Sequence, residues 1–460
     1  MNFRQKQQTN RTGFGVSLAD LLKWIVLGSA VGLLTGSASA FFLASLDQVT
    51  ELRLGHPWLL FLLPAGGALV SWLYLKYGRD SGRGNNLILD RIHDNGPDPI
   101  PLRMAPLVLF GTLLSHLLGA SVGREGTAVQ MGGSLAEEVG RLFRVGSADR
   151  TLLLICGISS GFGSIFGTPL AGTLFGLEVL AIGLIRHEAL VPAFVASFAG
   201  HLVTVSLWGV THAHYSLGAV PDLSASVLLK VVAASIVFGL IGRAFGEVTH
   251  ALKRGFARLL KNPVLRSAVG GTVVIGLVYA LGTREYLGLG LPLIQASLAD
   301  HGDVSPLAFL GKFVFTALSL GAGFQGGEVT PLFAIGATLG HTLAGLLQLY
   351  APFLAALGFI AVFCGATNTP IACFLMGIEL FGADATIYLF VACIVSYAFS
   401  GHGGIYPSQR IGVSKFRGLS FPPGTTLESA RSSRQKDRRE AAEEEEKEAE
   451  EETPSRPAKR

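Results

Sequence analysis

Charged residues are scarce in this chain of 460 residues. Asp, Glu, Lys and Arg make up 15% of it, whereas about a quarter is usual in soluble globular proteins. None of them occurs at positions 24–46, 189–221, 267–283 or 329–378. Each run approaches or exceeds the roughly 20 residues that a membrane-spanning helix needs, and the last could cross twice. The scarcity excludes a soluble globular protein and predicts a polytopic membrane protein.

Reactive and metal-binding patterns are missing as well. The four cysteines, Cys156, Cys364, Cys373 and Cys393, lie in apolar segments without metal-ligand spacing, so we expect neither a disulfide framework nor a metal centre. We find no nucleophile–base pair and no phosphate-binding loop. The sequence therefore predicts no enzyme activity and no cofactor. The net charge of +4 sums two unlike regions, and we expect no nucleic acid partner.

The most informative motif that is present is Gly123-Arg124-Glu125-Gly126-Thr127, which follows an uncharged run that begins at Met104. An ionisable pair at membrane depth is costly and marks a functional site. The glycines leave backbone N–H groups open, and a helix-like run follows at 128–143. This is the arrangement of an anion site at a helix N-terminus. The alternative is an interfacial Arg–Glu pair that caps a helix end.

The second half of the chain repeats this pattern. In the first half, the proline of a Thr-Pro-Leu-Ala motif comes 44 residues after Glu125, and Glu178 follows that proline by nine residues. In the second half, Gly326-Gly327-Glu328-Val329-Thr330 repeats the turn. The proline of a Thr-Pro-Ile-Ala motif comes 42 residues after Glu328, and Glu379 again follows that proline by nine. Matching order, residue type and spacing indicate an internal duplication. Paired interrupted segments of this kind point to a substrate site near the membrane midplane.

These motifs carry a resemblance. Gly123-Arg124-Glu125-Gly126, the later Gly-Gly-Glu-Val-Thr-Pro sequence and Tyr406 resemble the CLC family of chloride channels and proton-coupled anion antiporters, over about residues 24–418. The resemblance implies an all-α polytopic membrane protein, with two inverted-topology repeats of broken and tilted helices around a midplane anion pathway. It implies a homodimer and Glu125 as gate and proton carrier. The implied anion-binding residues are Gly123, Arg124, Gly126, Glu328, Val329, Thr330 and Tyr406.

Three departures from the usual family pattern indicate a branch. Gly82-Arg83-Gly84-Asn85-Asn86 stands where a Gly-Ser-Gly-Ile-Pro motif is usual, Thr127 replaces a common proline, and Glu328-Val329-Thr330 replaces the usual second filter sequence. Together they resemble the bacterial fluoride-specific branch of fluoride/proton antiporters. Either Asn85 or Asn86 is expected to replace the serine that coordinates chloride, and for each the alternative is an Asx turn. Amide, hydroxyl and backbone N–H groups can replace the water shell of fluoride.

The remaining acidic residues have separate interpretations. Glu328 would disfavour a resident anion unless it is protonated; alternatively it pairs with a cation outside the pathway. Val179 stands where proton-coupled chloride members often carry a second glutamate, so Glu125 is expected to carry the proton. Glu178 and Glu379 are interpreted as structural residues in buried hydrogen bonds.

The resemblance and the composition together predict a CLC-type anion transporter, in contact with membrane lipid, that exports fluoride in exchange for protons across the bacterial inner membrane. The alternative is a passive, voltage-gated-type chloride channel or a chloride/proton antiporter of the same fold. The first apolar run is too long for a cleavable signal peptide. Lys and Arg residues precede that run, so both termini are expected to be cytoplasmic.

The predicted organisation has five parts. They are a cytoplasmic segment at 1–20, a first membrane repeat at 21–248, a basic linker at 249–266, a second membrane repeat at 267–420 and a charged, disordered cytoplasmic tail at 421–460. The tail prediction rests on its density of charge, which leaves too few apolar residues for a packed core.

Overall fold

The computed structural model describes residues 18–94, 98–213, 215 and 217–433. The predicted N-terminal segment before Leu18 and the tail after Ser433 lie outside the described residues. Within them the architecture is helical, apart from two strands, Ala181–Ile182 (β1) and Arg410–Ile411 (β2), which form a parallel pair. This agrees with the predicted all-α polytopic fold.

The helices of the first half begin with one long span and become shorter. They are α1 Leu18–Gly55, α2 Leu63–Leu73, α3 Asn85–Asp94, α4 Met104–Leu118, α5 Glu125–Leu142, α6 Ser147–Phe166, α7 Pro169–Glu178 and α8 Leu190–Leu202. Short 3-10 or π segments precede or extend several of them, at Pro57–Leu62, Tyr74–Gly78, Arg79–Arg83, His187–Ala189 and Val203–Leu207.

The second half has the same sequence of long and short helices. They are α9 Ala225–Leu259, α10 Pro263–Leu281, α11 Leu291–Leu298, α12 Ala308–Ala322, α13 Val329–Leu347, α14 Ala351–Thr367, α15 Pro370–Phe381 and α16 Thr386–Phe399. The series from α4 to α8 corresponds to the series from α12 to α16, with the glutamate-containing loop at the same place in each. This correspondence agrees with the predicted duplication.

Six helical segments in the described part of the chain are long and apolar enough to cross a membrane. They are Leu18–Gly55, Pro57–Arg83, His187–Leu207, Ala225–Leu259, Pro263–Leu281 and Val329–Leu347. Shorter apolar helices, such as α4, α12 and α14, lie among them. Helices that end inside the membrane leave backbone N–H and C=O groups that must find partners within the protein.

Glycines end the two helices that lead to the central loops. Gly119 follows α4 and Gly323 follows α12, with φ of 93° and 99°. These are left-handed conformations that glycine adopts without steric strain, and they close the last helical turn. The equivalent breaks in the two repeats bring a loop with a glutamate to the centre of the protein.

Two short helices, α7 and α15, cap each other across the repeats. The Glu178 carboxylate, at the end of α7, accepts hydrogen bonds from the backbone N–H groups of Ile371 (3.1 Å) and Ala372 (2.9 Å) at the start of α15. Glu379 of α15 accepts from Leu170 (2.9 Å) and Ala171 (2.8 Å) at the start of α7. The interpretation of Glu178 and Glu379 as structural hydrogen-bonding residues is confirmed.

The structure differs from the expected organisation in two places. Helix α9 continues to Leu259, so most of the predicted linker at 249–266 is helical; the division into two repeats at this position stays a prediction. Residues 427–433 form a helical turn, where disorder was expected. The reason is an apolar pair, Leu427 and Ala430, which packs against Ile182 and Ile411.

The reciprocal caps predict a loss of stability when either carboxylate is removed. Glu178→Ala or Glu379→Ala leaves two helix N-terminal N–H groups without their acceptor. Since a hydrogen bond to a charged group contributes about 1.5–3 kcal/mol, we expect the midpoint of thermal unfolding in detergent to fall clearly. Glu188→Ala, which removes a side chain that is 66% exposed, is the matched control. Equal midpoints for the caps and this control would contradict the capping role.

Candidate functional site

The central loops of the two repeats meet as a short antiparallel bridge. The N–H of Gly123 donates to the carbonyl oxygen of Gly327 (2.6 Å), and the N–H of Gly327 donates to the carbonyl oxygen of Gly123 (2.9 Å). This pairing brings the N-terminus of α5 close to the N-terminus of α13. Helix N-termini carry partial positive charge and open N–H groups, so the arrangement favours a negative group between them.

The carboxylate of Glu125 is that negative group. It is buried, and its Oε1 accepts from the N–H of Val329 (2.6 Å). Its Oε2 accepts from the N–H of Thr330 (3.2 Å), from the Thr330 hydroxyl (3.0 Å) and from the N–H of Arg124 (2.9 Å). Glu125 begins α5 but its side chain caps α13. Four donors from two repeats thus hold one carboxylate.

The glycines of the loops make room for this carboxylate. A Cβ atom on Gly327 would lie 1.8 Å from Oε1 of Glu125, and a Cβ on Gly123 would lie 2.7 Å from its Oε2. Both distances are far below van der Waals contact, so only glycine permits the observed position. The Gly-rich composition of both loops is therefore a steric requirement of the site.

Other residues of the first motif contribute in ways that the sequence did not specify. The guanidinium of Arg124 lies 5.9 Å from the centre of the Phe166 ring, so Arg124 supplies a backbone N–H to the site while its charge points elsewhere. The hydroxyl of Thr127 contacts that of Thr112 at 2.6 Å. Thr127 therefore links α5 to α4, which explains a threonine at a position where the family often has proline.

Asn85 and Tyr406 face each other across a small cavity next to this site. Its volume is about 10 Å³, close to the minimum that holds one water molecule. The other lining residues are apolar: Leu89, Val129, Ile158, Phe175 and Val179. A small cavity with two polar groups in an apolar wall suits one dehydrated ion or water molecule. Val179, which stands where the resemblance implies a second glutamate in proton-coupled chloride members, adds to this apolar wall.

The structure distinguishes Asn85 from Asn86. The Oδ1 atom of Asn86 accepts a hydrogen bond from the N–H of Ser408 at 3.1 Å, which ties α3 to the segment after α16. The Oδ1 atom of Asn85 is buried without a hydrogen-bond partner among the described residues. Its Nδ2 atom lies beside Gly126, 3.5 Å from where a Cβ on that glycine would stand. Within the described part of the chain, the Asn85 side chain is thus not tied to another element by a hydrogen bond, as that of Asn86 is, and its Nδ2 can donate to an anion at the site.

Glu328 lies on the other side of the site, in a second and much larger cavity of about 740 Å³ that also reaches Asn85, Asn86 and Tyr406. No cation of the described residues lies within ion-pair distance of the Glu328 carboxylate. The alternative interpretation, an ion pair outside the pathway, is therefore not supported. Helix α1 and the span Pro57–Arg83 follow each other in the chain, and each is long and apolar enough to cross a membrane. We therefore infer that Arg83 and its cavity lie on the side where α1 begins.

Some residues of this large cavity are not predicted by the sequence motifs. Gln130 of α5 is buried, and its Oε1 atom lacks a partner among the described residues. A polar side chain five positions after Glu125 in an apolar helix was a usable signal. The cavity is also lined by cationic side chains from distant parts of the chain, Arg79, Arg83, Lys253, Arg254, Arg266 and Arg431. No local pattern brings those residues together.

The amino-acid sequence of this chain is similar to those of several known proteins. The family described as voltage gated chloride channel matches residues 66–401. A chloride/fluoride channel protein of Pseudomonas syringae pv. tomato is 52% identical over 402 residues, which cover 86% of this chain and 88% of that protein. An H⁺/Cl⁻ exchange transporter of Vibrio vulnificus is 27% identical over 385 residues, covering 77% of this chain and 81% of the relative.

Structure comparison agrees. A crystal structure of a CLC-type fluoride/proton antiporter superimposes with a TM-score of 0.83 and 36% identity, covering 86% of this chain and all of the other. A slow cyanobacterial Cl⁻/H⁺ antiporter shares the fold, with a TM-score of 0.71 and 21% identity over 82% of this chain and 94% of its own. The chain therefore belongs to the CLC family of voltage gated chloride channels, and as a member it is a multi-pass transporter of anions rather than an enzyme.

Proposed function

We propose that this protein exchanges fluoride for protons, with Glu125 as both gate and proton carrier. The observation that carries the proposal is the Glu125 carboxylate itself, which takes up the N–H groups of Val329 and Thr330 and the Thr330 hydroxyl. These are the donors that an anion at the N-terminus of α13 would use. The carboxylate is a tethered anion that occupies an anion site.

Protonation of Glu125 opens this site to fluoride. A neutral carboxylic acid loses most of its attraction to a helix N-terminus, because that attraction depends on charge. It then leaves the donors of Val329 and Thr330, and fluoride replaces it. When fluoride departs, the ionised carboxylate returns. Since the carboxylate and fluoride compete for the same donors, the movement of the proton and that of the anion are coupled.

The small cavity beside the site supports fluoride as the substrate. Fluoride is close to a water molecule in size, and chloride is larger. The cavity of about 10 Å³ accommodates one such sphere against Asn85 and Tyr406. The Asn85 amide and the Tyr406 hydroxyl are donors that can replace part of the ion's water shell. The names of two similar proteins, a chloride/fluoride channel protein and a fluoride/proton antiporter, agree with this substrate.

The proposal extends to the assembly and the location of the protein. We infer a homodimer in contact with membrane lipid, since the short helices α7 and α15 expose Leu170 (41%) and Ile371 (43%) at equivalent positions of the two repeats. We place the protein in the bacterial inner membrane. The side where α1 begins, which carries Lys23 and the basic cavity, is cytoplasmic by the positive-inside rule, and both termini lie there.

Wild-type protein in proteoliposomes tests the proposed function. We expect fluoride efflux to exceed chloride efflux by a wide margin, and an imposed fluoride gradient to drive protons in the opposite direction, recorded with a pH dye. Comparable fluxes of the two anions would support the alternative, a chloride/proton antiporter. Chloride flux without proton movement would support a passive channel.

Removal of the proton-carrying group tests the role of Glu125. Glu125→Gln cannot exchange a proton, so fluoride-driven proton transport should disappear, measured as the rate of vesicle acidification. Glu138→Gln is the matched control, because Glu138 lies on the same helix and forms an ion pair with Arg141 at the surface. If Glu125→Gln vesicles still pump protons, Glu125 is not the carrier, and Glu328 becomes the candidate.

The neighbouring asparagines supply a matched pair of variants. Asn85→Ala removes an amide from the small cavity, and loss of a hydrogen bond to a charged ligand costs about 1.5–3 kcal/mol. We therefore expect fluoride flux at low concentration to fall at least about tenfold. Asn86→Ala removes the contact to Ser408 and should lower thermal stability while keeping the preference for fluoride over chloride. A larger loss of fluoride preference in Asn86→Ala would reverse the assignment.

A further inference from the structure

The mouth of the large cavity is built from three separate parts of the chain. Arg79 comes from the turn before α3, Lys253 and Arg254 from the end of α9, and Arg431 from the helical turn at 427–433. Glu328 lies at its deep end, and Glu428 lies near Arg431. Cations therefore outnumber carboxylates along the lining.

Several of these cations lack counter-ions. Arg83 forms an ion pair with Asp90, but Arg79, Lys253, Arg254 and Arg431 have no carboxylate of the described residues within ion-pair distance. Surface cations of proteins commonly lie near acidic residues of opposite charge, and a cleft lined by one sign of charge focuses the electric field and raises the local concentration of counter-ions. The unpaired charges point to an anion as the species that this cavity attracts.

The turn that carries Arg431 is fixed in place. The N–H of Leu427 donates to the carbonyl oxygen of Gln409 (2.9 Å), and the N–H of Glu428 donates to that of Pro407 (3.1 Å). The buried Leu427 side chain anchors the turn beneath the membrane helices. Pro407 directly follows Tyr406 of the small cavity, so the segment that positions Arg431 also positions a residue of the anion site.

Arg431 and Arg254 are close enough to affect each other. Burial lowers the pKa of Arg431, and the like charge of Arg254 lowers it further, while Glu247 and Glu428 act in the opposite sense. Two guanidinium groups that repel each other are stabilised by an anion between them. An anion in the cavity would therefore add to the stabilisation that Glu247 and Glu428 give this pair.

We propose that residues 427–433 form a wall of the cytoplasmic entrance to the anion pathway, and that Arg431 and Arg254 form a pair that concentrates fluoride before it reaches Asn85. The inference rests on the proposed function. Arg431 acts by its charge at the mouth of the cavity and not by contact with the central site. It sets how fast the pathway fills at low fluoride concentration and leaves the exchange step unchanged.

Charge replacement at position 431 tests this role. The four native cysteines are buried, so Arg431→Cys introduces an accessible thiol that can be labelled before reconstitution. We expect fluoride flux below saturation, at low ionic strength, to fall about threefold. A whole charged cleft raises association rates roughly tenfold or more, and Arg431 supplies only part of the charge of this one. A cationic methanethiosulfonate reagent should restore the flux, and an anionic one should lower it further. The differences should shrink in high sodium gluconate, because salt screens exposed charges.

The control is Arg258→Cys, labelled with the same two reagents. Arg258 lies one helical turn after Arg254 on α9 and is exposed outside the cavity, so neither reagent should change its flux. Flux at saturating fluoride, and the ratio of protons to fluoride, should be the same in all variants. If the two reagents have equal effects on the Arg431→Cys variant, or if both variants respond alike to them, the inference is overturned. Absence of fluoride-driven proton movement in the wild type would instead contradict the proposed function.

Discussion

The hydrogen bonds between the Glu125 carboxylate and the N-terminus of α13 are the interaction on which the rest of the structure depends. A carboxylate buried at membrane depth is costly unless donors surround it, and here Val329, Thr330 and Arg124 supply four. Those donors exist because α13 begins inside the protein instead of crossing it. That beginning in turn requires the glycine loops, since a side chain at Gly327 would occupy the space of the carboxylate.

The need to supply acceptors for helix N-termini inside the membrane also explains the arrangement of the short helices α7 and α15. Helices that begin within the membrane expose N–H groups, and in α7, α13 and α15 a glutamate from the opposite repeat accepts from them. Glu178 and Glu379 form a closed exchange between α7 and α15, with each helix capping the other. Glu125 differs because its site borders Asn85 and the small cavity, where another anion can lie. Capping of a helix N-terminus by a glutamate of the opposite repeat therefore stabilises the fold at α7 and α15, and at α13 it forms the candidate gate.

Short sequence patterns predict the membrane class of the protein and the position of its central site. Uncharged runs gave the membrane class, and glycines beside an ionisable pair located the Glu125 site and its counterpart at Glu328. The assignments that failed or stayed open depend on contacts between distant residues. Asn85 and Asn86 are neighbours in sequence, and their roles are separated by the hydrogen bond from Ser408 to Asn86 and by the position of Asn85 in the small cavity. The turn at 427–433 was expected to be disordered because the tail is dense in charge. In the structure, its apolar residues Leu427 and Ala430 pack against residues of β1 and β2.

The distribution of charge along the pathway has a physical reason. Full cations, Arg254 and Arg431, lie at the wide mouth of the large cavity, where water and salt weaken their attraction. The narrow part offers dipoles instead, from the Asn85 amide and the N–H groups of α13, while the Arg124 guanidinium is turned toward Phe166. A transporter must bind its ion well enough to admit it and weakly enough to release it. A full cation at the narrow part would bind the Glu125 carboxylate or the anion too strongly for exchange. In the proposed exchange, cations would therefore attract the anion at the mouth, and dipoles would bind it at the centre.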